Sequence, residues 1–324
     1  MKIRQFTDGC EVAQPLLVRE VDLRQRRDGS GYLRLVLADR TGTIPAMVWE
    51  EVDRLRECCS PGAIVHVTGR FCVNPRYGPQ LAIQQLRTAS EDEYKRDDLL
   101  DGPARSPDQL EADLRQLLQT VQSPHLRRLL RIVFGEESQL WCSYREAPAA
   151  KVYHQAYRHG LLEHSLTVAQ AVSALSSIFP GIDRDLAVTG ALLHDVGKLD
   201  VYDLNGGAVS ISDDGHLQGE IPLGYYRLRR AIETLEGFPA ALEQALLHII
   251  LSHHGALEHG SPVVPCTREA TLVHMVDNLG GKLGSFDRLE KRLPAGEHWS
   301  AYDKALGGGA FFAARMVERG RAAA

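Results

Sequence analysis

The hydrophobic pattern of this 324-residue chain changes its period once, and that change limits the fold more than any other feature. Between residues 15 and 89 apolar and polar residues alternate in short runs that end at turn residues, which is typical of β-strands. From residue 106 onward apolar residues recur at three- and four-residue spacing, which is typical of α-helices. We therefore expect a β domain followed by a helical domain.

The first part contains five strand-like runs and one short helix. The runs cover 14–26, 32–40, 43–52, 63–74 and 79–89, and the helix covers 52–60. A helix between the third and fourth of five strands is the element order of an OB-fold, a small Greek-key barrel. The turn Asp39-Arg40-Thr41-Gly42 fits the same fold. An SH3-like barrel is the alternative, although it would not need the helix.

The second part is predicted to be an all-α bundle. Residues 90–107 are charged and contain Gly-Pro and Ser-Pro, which indicates a linker. Helices are predicted near 148–178, 184–195, 219–236, 239–254, 268–284 and 300–319, after Ser-Pro starts at 106 and 123. We therefore predict a multidomain chain with an all-β OB-fold over 1–89, a linker over 90–107 and an all-α domain over 108–324.

Composition excludes several classes of protein. With 44% hydrophobic and 24% charged residues, the chain is neither disordered, collagen-like nor a disulfide-stapled miniprotein. Its net charge of −5 argues against a nucleic-acid binder. That number is an average, however. Residues 1–90 hold 13 Lys and Arg against 10 Asp and Glu, so the barrel is at +3 and the remainder at −8.

The sequence predicts a cytoplasmic protein without a membrane partner. Its start has no apolar core of signal-peptide length, and no apolar run approaches about 18 residues. The six cysteines form no CxxC pair and fit buried thiols in a reducing compartment.

Histidines and carboxylates recur together in the helical part, where 12 of the 13 histidines lie. They occur as His164 in GLLEHSL, His194-Asp195 in LLHDVGK, His253-His254 in LSHHG and Asp277 in HMVDNLGGK. Imidazole and carboxylate together suit first-row divalent metals, and an aspartate can bridge two ions. Two ions roughly 3.5–4 Å apart can activate water and clamp the oxygens of a phosphodiester.

This order of His, His-Asp and Asp resembles the HD superfamily of metal-dependent phosphohydrolases. The words GLLEHSL, ALLHDVGK, ILSHHG and DNLGGK, after an OB-fold, resemble the YhaM-type 3′→5′ exoribonucleases more closely, over nearly the whole chain. The resemblance implies that one metal is held by His164, His194, Asp195 and Asp277. It also implies that Asp195 bridges to a second metal and is catalytic.

The resemblance implies further roles around the second ion. His253 belongs to the second-metal side, His254 beside it is a catalytic candidate, and Lys198 meets a phosphate oxygen. Lys198 could equally be an ordinary cation at a helix C-terminus. The implied cofactor is a divalent metal in two copies, with Mn²⁺ favoured over Co²⁺, Fe²⁺, Ni²⁺ and Mg²⁺.

One position departs from the family pattern. The family has a histidine in a G-x-L-x-G-H-I word, and Glu220 stands there in this chain. A glutamate is a competent metal ligand, so the second site can persist with altered preference. If the stretch is helical, His216 shares a face with Glu220 and can compensate. The remaining alternative is loss of the second site.

The barrel would bind a single strand through exposed aromatic and cationic side chains. The candidates are Tyr32, Arg34, Trp49, Phe71, Asn74, Arg76 and Tyr77. Trp49 and Phe71 could instead point into the barrel core, whereas Arg76 and Tyr77 lie in a loop bounded by Pro and Gly.

The leading hypothesis is a metal-dependent 3′→5′ exonuclease that acts on single-stranded RNA, or also DNA, and releases nucleoside monophosphates. The 3′→5′ polarity comes from the resemblance alone. The alternatives are a phosphohydrolase of small nucleotides and a single-strand-binding protein with a degenerate HD site. The sequence leaves open whether the chain forms a homo-oligomer.

Overall fold

A computed structural model describes residues 1–26, 29–74, 78–99, 102–103, 105–151, 155–205, 208–293 and 297–313. Its N-terminal unit has the strands β1 (Glu11–Gln25), β2 (Gly31–Asp39), β3 (Gly42–Val48), β4 (Ile64–Asn74) and β5 (Gly78–Thr88), with helix α1 (Val52–Cys58) between β3 and β4. They close into a barrel in the order β1-β2-β3-β5-β4, in which only the β3–β5 pair is parallel. The predicted OB-fold is confirmed.

Alternation along the strands builds the barrel core. On β2 and β3 every second residue is buried, as the period-two pattern requires. The turn between them is closed by Asp39, whose carboxylate accepts hydrogen bonds from the Thr41 amide at 2.7 Å and the Thr41 hydroxyl at 2.6 Å. The same carboxylate accepts from the Ile3 amide at 2.7 Å, which attaches the N-terminal segment to the barrel.

The first part of the predicted linker packs on the barrel. Helix α2 (Arg96–Leu99) ends in Leu99, which is buried against Leu17 and Ala38. Lys2 and Asp98 form an exposed ion pair at 2.6 Å at the same place. Residues 90–99 therefore extend the barrel unit, and the connection to the helices follows them.

The C-terminal unit is mostly helical. Its helices are α3 (Pro107–Thr120), α4 (Pro124–Phe134), α5 (Gln139–Glu146), α6 (Gly160–Ser176), α7 (Arg184–Leu193), α8 (Lys198–Val201), α9 (Asp213–Leu217), α10 (Glu220–Glu233), α11 (Ala240–Ser252) and α12 (Arg268–Arg292). Side-chain caps fix several starts. Ser106 accepts from the Gln109 amide at 3.2 Å, and Asp183 accepts from the Leu186 amide at 3.0 Å.

Three expectations about this unit were wrong. It is not all-α, because β6 (Tyr202–Asn205) and β7 (Ala208–Ile211) pair as an antiparallel hairpin too short for a periodic signal. The helix predicted from 148 begins at Gly160, after His159 takes a left-handed φ of 70°. Residues 300–313, predicted as helix, form a non-helical turn with three consecutive glycines at 307–309, which disfavour a helix.

Helices α6, α7, α11 and α12 pack around one hydrophobic core, and their polar positions meet at its edge. Leu161, Leu193, Ile250 and Val273, one from each helix, are all fully buried. Within the described residues, no helix has both the length and the apolar character needed to cross a membrane.

Candidate metal centre

Side chains from three helices converge at the edge of this core. His164 lies on α6, His194 follows the last residue of α7, and Asp277 lies on α12; one ligand atom of each lies within 4.8 Å of the others. The Nε2 atoms of His164 and His194 are 3.1 Å apart. Oδ1 of Asp277 and Oδ2 of Asp195 lie 3.1 and 3.2 Å from His164 Nε2. The structure thus brings together the four side chains that the resemblance assigns to one metal.

Hydrogen bonds at Nδ1 fix the tautomers of these rings. His194 Nδ1 lies 2.7 Å from the Ala191 carbonyl, and His253 Nδ1 lies 2.7 Å from the Ile250 carbonyl. Because a carbonyl only accepts, each Nδ1 carries a proton, and Nε2 is the atom at which a second proton or a metal ion binds. His164 Nδ1 likewise donates to Oε1 of Gln155 at 3.1 Å. All three Nε2 atoms are therefore available as ligands.

Lys198 holds the second carboxylate of the centre. Its ammonium lies 2.7 Å from Asp195 Oδ2, and the Asp195 side chain is only 2% exposed. The turn after α7 places Lys198 three residues beyond Asp195, on the same side of the cleft. The pair puts a fixed positive charge next to the cluster of ligands.

Electrostatics keep both carboxylates ionised in spite of their burial. Burial raises the pKa of Asp195, but Lys198 and His194 outweigh it and hold that pKa well below its ordinary value. In the same way His164 and His194 hold the pKa of Asp277 well below its usual range. Burial lowers the pKa of His194, yet the neighbouring carboxylates raise it to about 10. The centre strongly favours positive charge.

The donor set fits a divalent cation. Two imidazole nitrogens 3.1 Å apart with both lone pairs facing inward are unfavourable unless a positive charge lies between them. His253 Nε2 is fully buried, has no hydrogen-bond partner among the described residues, and lies 3.6 Å from Asp195 Oδ1. Nitrogen and carboxylate oxygen are the ligands that first-row metals prefer. A cation would satisfy each of these buried atoms.

Glu220 and His254 form a pair in the wall of the same cleft. Glu220 Oε1 lies 3.5 Å from His254 Nε2, and both side chains are about one-quarter exposed. The pKa of His254 is lowered by burial and by His253, so its ring is neutral. His216 does not join them, because α9 ends before Gly219 takes a φ of 76° and α10 begins at Glu220. His216 is exposed on the separate helix α9.

The cleft in front of these groups has a volume of about 360 Å³ and includes residues that the sequence did not single out. Asn278, Gly281, Lys282 and Ser285 of α12 line it. Gly281 and Ser285 lie four and eight residues after Asp277, and this helical spacing is the signal that could have found them. Gln155 gives no such signal, since it lies outside any periodic segment.

The outside of the barrel carries the aromatic pair expected of a single-strand binder, with Tyr32 on β2 and Trp49 directly after β3. Tyr32 and Trp49 stack with centroids 4.8 Å apart, and Trp49 is 49% exposed rather than buried in the barrel. The guanidinium of Arg26 lies 4.7 Å from the centre of the Trp49 ring. Arg34, on the same face, lies 3.5 Å from Asp22.

The other nucleic-acid candidates have different outcomes. Phe71 lies in the barrel core, 8% exposed and edge-on to Phe6, so it offers no face to a base and that prediction was wrong. Asn74 is half-buried at the end of β4. Arg76 and Tyr77 lie outside the described residues.

Family models match both units. The model of the HD domain matches residues 161–280, and the model of the OB-fold nucleic acid binding domain matches residues 18–89. The second OB-fold domain of replication protein A from Methanococcus maripaludis is 20% identical and covers 28% of this chain and 95% of its own, with a TM-score of 0.23.

Two curated relatives match nearly the whole chain. The 3′-5′ exoribonuclease YhaM of Geobacillus sp. (strain WCH70) is 32% identical over 91% of this chain and 90% of its own length. The 3′-5′ exoribonuclease YhaM of Bacillus subtilis (strain 168) is 31% identical over 90% of this chain and 91% of its own. Identity and coverage at this level extend through both units. The chain therefore belongs to the YhaM family of 3′-5′ exoribonucleases.

Proposed function

We propose that this protein is a metal-dependent 3′→5′ exonuclease of single-stranded RNA that releases nucleoside monophosphates, and that it also accepts single-stranded DNA. The observation that carries the proposal is the buried cluster of His164, His194, Asp195 and Asp277, which opens into a cleft beside Lys198. Such a cluster holds cations where a phosphodiester can reach them. The barrel, with its exposed aromatic pair, would bind a single strand by stacking on its bases.

In the reaction a water oxygen bonds to the phosphorus of the last linkage and the P–O3′ bond breaks. One proton of that water ends on the 3′ oxygen of the shortened strand, and the terminal nucleotide leaves with a 5′-phosphate that carries the water oxygen. Lys198 places its ammonium near the scissile phosphate and stabilises the charge on its oxygens. His254 donates its Nδ1 proton to the His259 carbonyl at 2.9 Å, so Nε2 is a proton acceptor at the cleft.

The residues fit two divalent ions, of which Mn²⁺ is our favoured identity. One ion would be held by His164, His194, Asp195 and Asp277, and the other by Asp195, His253 and Glu220. When bound, such ions lower the pKa of water and stabilise charge on phosphate oxygens. Glu220 provides a carboxylate where the family has a histidine. This exchange would shift the metal preference of the second site towards hard ions.

The barrel face would deliver the strand. Tyr32 and Trp49 would stack on bases, Arg26 and Arg34 would follow the phosphates, and Asn74, Arg76 and Tyr77 would add contacts from the loop between β4 and β5. In this scheme residues 1–89 are the binding domain, extended by residues 90–99 that pack on the barrel. The rest of the segment up to 107 connects the domains, and 108–324 are the catalytic domain. We also propose a cytoplasmic location, because the six cysteines are free thiols.

The proposal is tested with single-stranded RNA labelled at its 5′ end and incubated with the protein and Mn²⁺. We expect a ladder of strands shortened from the 3′ end and nucleoside monophosphates as product. The variant Asp195→Ala should lose this activity. Absence of cleavage with every divalent metal, turnover of free mononucleotides alone, or an active Asp195→Ala variant would contradict the proposal.

A second experiment tests the barrel face separately. Trp49→Ala should weaken binding of single-stranded RNA about 5- to 100-fold, because one stacked base contributes ~1–3 kcal/mol. Fluorescence anisotropy with a labelled 20-nucleotide strand measures this. Val73→Ala is the matched control, since Val73 is equally exposed on β4. Equal affinities of the two variants would remove Trp49 from the binding face.

A further inference from the structure

The chain beyond α12 forms a small anchored hairpin, residues 297–313, which we call the C-terminal hairpin. Trp299 pairs with Phe311 and Asp303 pairs with Gly308 in antiparallel bridges. Backbone hydrogen bonds join Ser300 to Ala310 at 2.9 Å and Phe312 to His298 at 2.8 Å. The hairpin lies outside residues 161–280, which match the HD domain.

Two contacts fix the C-terminal hairpin on α12. The carboxylate of Asp303 lies 2.6 Å from the Arg288 guanidinium, and both side chains are largely buried. The same carboxylate accepts from the amide of Ala305 at 3.0 Å, which shapes the turn. Phe312 packs edge-on against Phe286. The hairpin is therefore held in one position relative to the cleft.

The turn of the C-terminal hairpin is part of the cleft wall. Ala305 lines the cleft together with Lys282 and Ser285 of α12. The bridge between Trp299 and Phe311 lies four residues before Asp303 and three residues after Gly308, on the side of the hairpin away from the turn that carries Ala305. The hairpin thus contributes its turn to the cleft and carries the Trp299–Phe311 pair beyond that turn.

Aromatic side chains along this path are exposed. Trp299 is 56% exposed, Tyr302 is 74% exposed and Phe311 is 42% exposed. The rings of Trp299 and Phe311 lie with centroids 4.9 Å apart, which supports the Trp299 ring from one side. A large exposed ring that a neighbouring ring supports is suited to stacking on a base.

Cationic side chains accompany the aromatic ones. Lys282 lies on the cleft wall and Lys304 in the turn, and both are exposed. Within the described part of the chain neither ammonium belongs to an ion pair. Aromatic rings interleaved with free cations are the pattern that binds single strands, because rings stack on bases and cations meet phosphates.

We propose that the C-terminal hairpin is a second stacking platform for single-stranded nucleic acid. It would hold the bases immediately 5′ of the scissile linkage, with Tyr302 nearest the cleft and Trp299 farther out. This inference rests on the proposed nuclease function and adds a binding site to it. The barrel then binds the body of the strand, and the hairpin positions its last few nucleotides.

Continuity with the cleft favours a nucleic acid over a protein as the occupant. Exposed Met275, Leu279 and Leu283 on α12 form a neighbouring aliphatic stripe that would suit a second copy of the chain. The C-terminal hairpin differs from that stripe because its exposed side chains are aromatic and lie next to lysines. Self-association through the hairpin is therefore an outcome to be tested rather than the proposal.

The test compares Trp299→Ala and Tyr302→Ala with the wild-type chain in the presence of Mn²⁺. The substrates are a tetranucleotide of uridine and bis(p-nitrophenyl) phosphate, which is too small to reach the hairpin. The quantity compared is the ratio of kcat/KM for the tetranucleotide to kcat/KM for the small diester. We expect both substitutions to lower this ratio at least about fivefold, because KM for the tetranucleotide rises. Trp299→Tyr should restore it, because the stacking face returns.

Phe179→Ala is the control, since Phe179 is an aromatic residue of similar exposure, 53%, between α6 and α7. It should leave the ratio at the wild-type value. If the wild-type chain cleaves neither substrate, the proposed function fails. If it cleaves both and the hairpin variants keep the wild-type ratio, the hairpin inference alone is overturned. If light scattering gives the hairpin variants a lower molar mass than the wild-type chain while the ratio is unchanged, the hairpin is a protein interface. This result would also overturn the hairpin inference.

Discussion

At the scale of single residues, each imidazole of the centre is oriented by the acceptor of its Nδ1 proton. His194 and His253 use backbone carbonyls three residues earlier, and His164 uses the side chain of Gln155. These partners remove the freedom of the ring to turn or to change tautomer. The direction of each Nε2 is therefore a property of the local backbone and of one glutamine.

Asp277→Asn should abolish tight metal binding while leaving the fold intact. Asparagine keeps the volume of the side chain but removes an anion whose pKa is held well below its usual range. Calorimetric titration with Mn²⁺ should show at least one fewer ion bound per chain. Asp287→Asn, on the exposed side of the same helix, is the control and should bind like the wild type. Unchanged stoichiometry in Asp277→Asn would exclude this residue as a ligand.

Gln155→Asn should weaken metal binding about 10- to 100-fold, as loss of a partner of a metal-binding histidine generally does. Asparagine tolerates the left-handed φ of 59° at this position but is one methylene too short to reach His164 Nδ1. The same calorimetric titration measures the change. An affinity equal to that of the wild type would show that the ring is oriented without the glutamine.

The sequence predicts the candidate ligands that the structure brings together better than it predicts the groups that orient them. His164, His194, Asp195 and Asp277 stand in words that carry chemistry at helical positions, so both spacing and resemblance point to them. Gln155 has no spacing relation to its partner, because its position depends on how the segment before α6 folds back.

The burial of Phe71 follows from its position on β4. This residue is in phase with Val65 and Val67 on β4, and alternation alone places it inside the barrel.

At the scale of elements, the turn after α7 approaches the first turn of α10 very closely. A Cβ atom on Gly197 would lie 2.0 Å from the Glu220 carbonyl oxygen and 2.5 Å from the Gly224 amide nitrogen. Only glycine allows this approach, which brings Glu220 into the wall of the cleft that His164 and Asp277 also line. The position of a candidate ligand thus depends on a backbone contact between two elements.

Gly197→Ala should lower the free energy of unfolding by about 1–3 kcal/mol, as overpacking of tight contacts does. It should also weaken binding of the second Mn²⁺ ion, because α10 must move away. Urea denaturation and calorimetry measure the two effects. Gly280→Ala is the control. Its Cβ meets nothing within 4 Å, and alanine in a helix interior should raise stability by about 0.5–1 kcal/mol. Equal stabilities of the two variants would contradict the prediction.

Long elements with a clear period were predictable, and short or glycine-rich ones were not. The five strands and the starts of α3 and α7 follow from alternation and from capping residues. The hairpin of β6 and β7 has strands of four residues, which is too short for a period to be seen. The C-terminal hairpin depends on the carboxylate of Asp303 and on its contact with α12, and these are tertiary interactions.

At the scale of the whole molecule, charge is divided between the two units. The barrel carries +3 and the remainder −8, so the acidic unit repels a nucleic acid unless cations occupy the centre. Asp195 and Asp277 are part of that negative charge, and bound ions would reverse the local sign. Net charge alone was therefore a poor guide to the partner of this protein.

Mn²⁺ should raise the midpoint of thermal unfolding, because it binds the folded helical unit and not the unfolded chain. At a concentration of about 100 times Kd the stabilisation is ~2.7 kcal/mol, which corresponds to a shift of several degrees. Circular dichroism at the helical wavelength measures the midpoint with Mn²⁺ and with a chelator. The shift should vanish in Asp277→Asn, and an equal shift in that variant would assign the stabilisation to other sites.

The rings of His194 and His253 bond to carbonyls in the last turns of α7 and α11, where a helix has no amide of its own to offer. Tyr144 donates to the Leu192 carbonyl in the same way. In the middle of a helix the same ring would have to share its carbonyl with the amide four residues on. The direction of both rings therefore depends on where α7 and α11 end, and one added turn on either helix would make a backbone amide compete for the acceptor of a candidate ligand without changing that ligand.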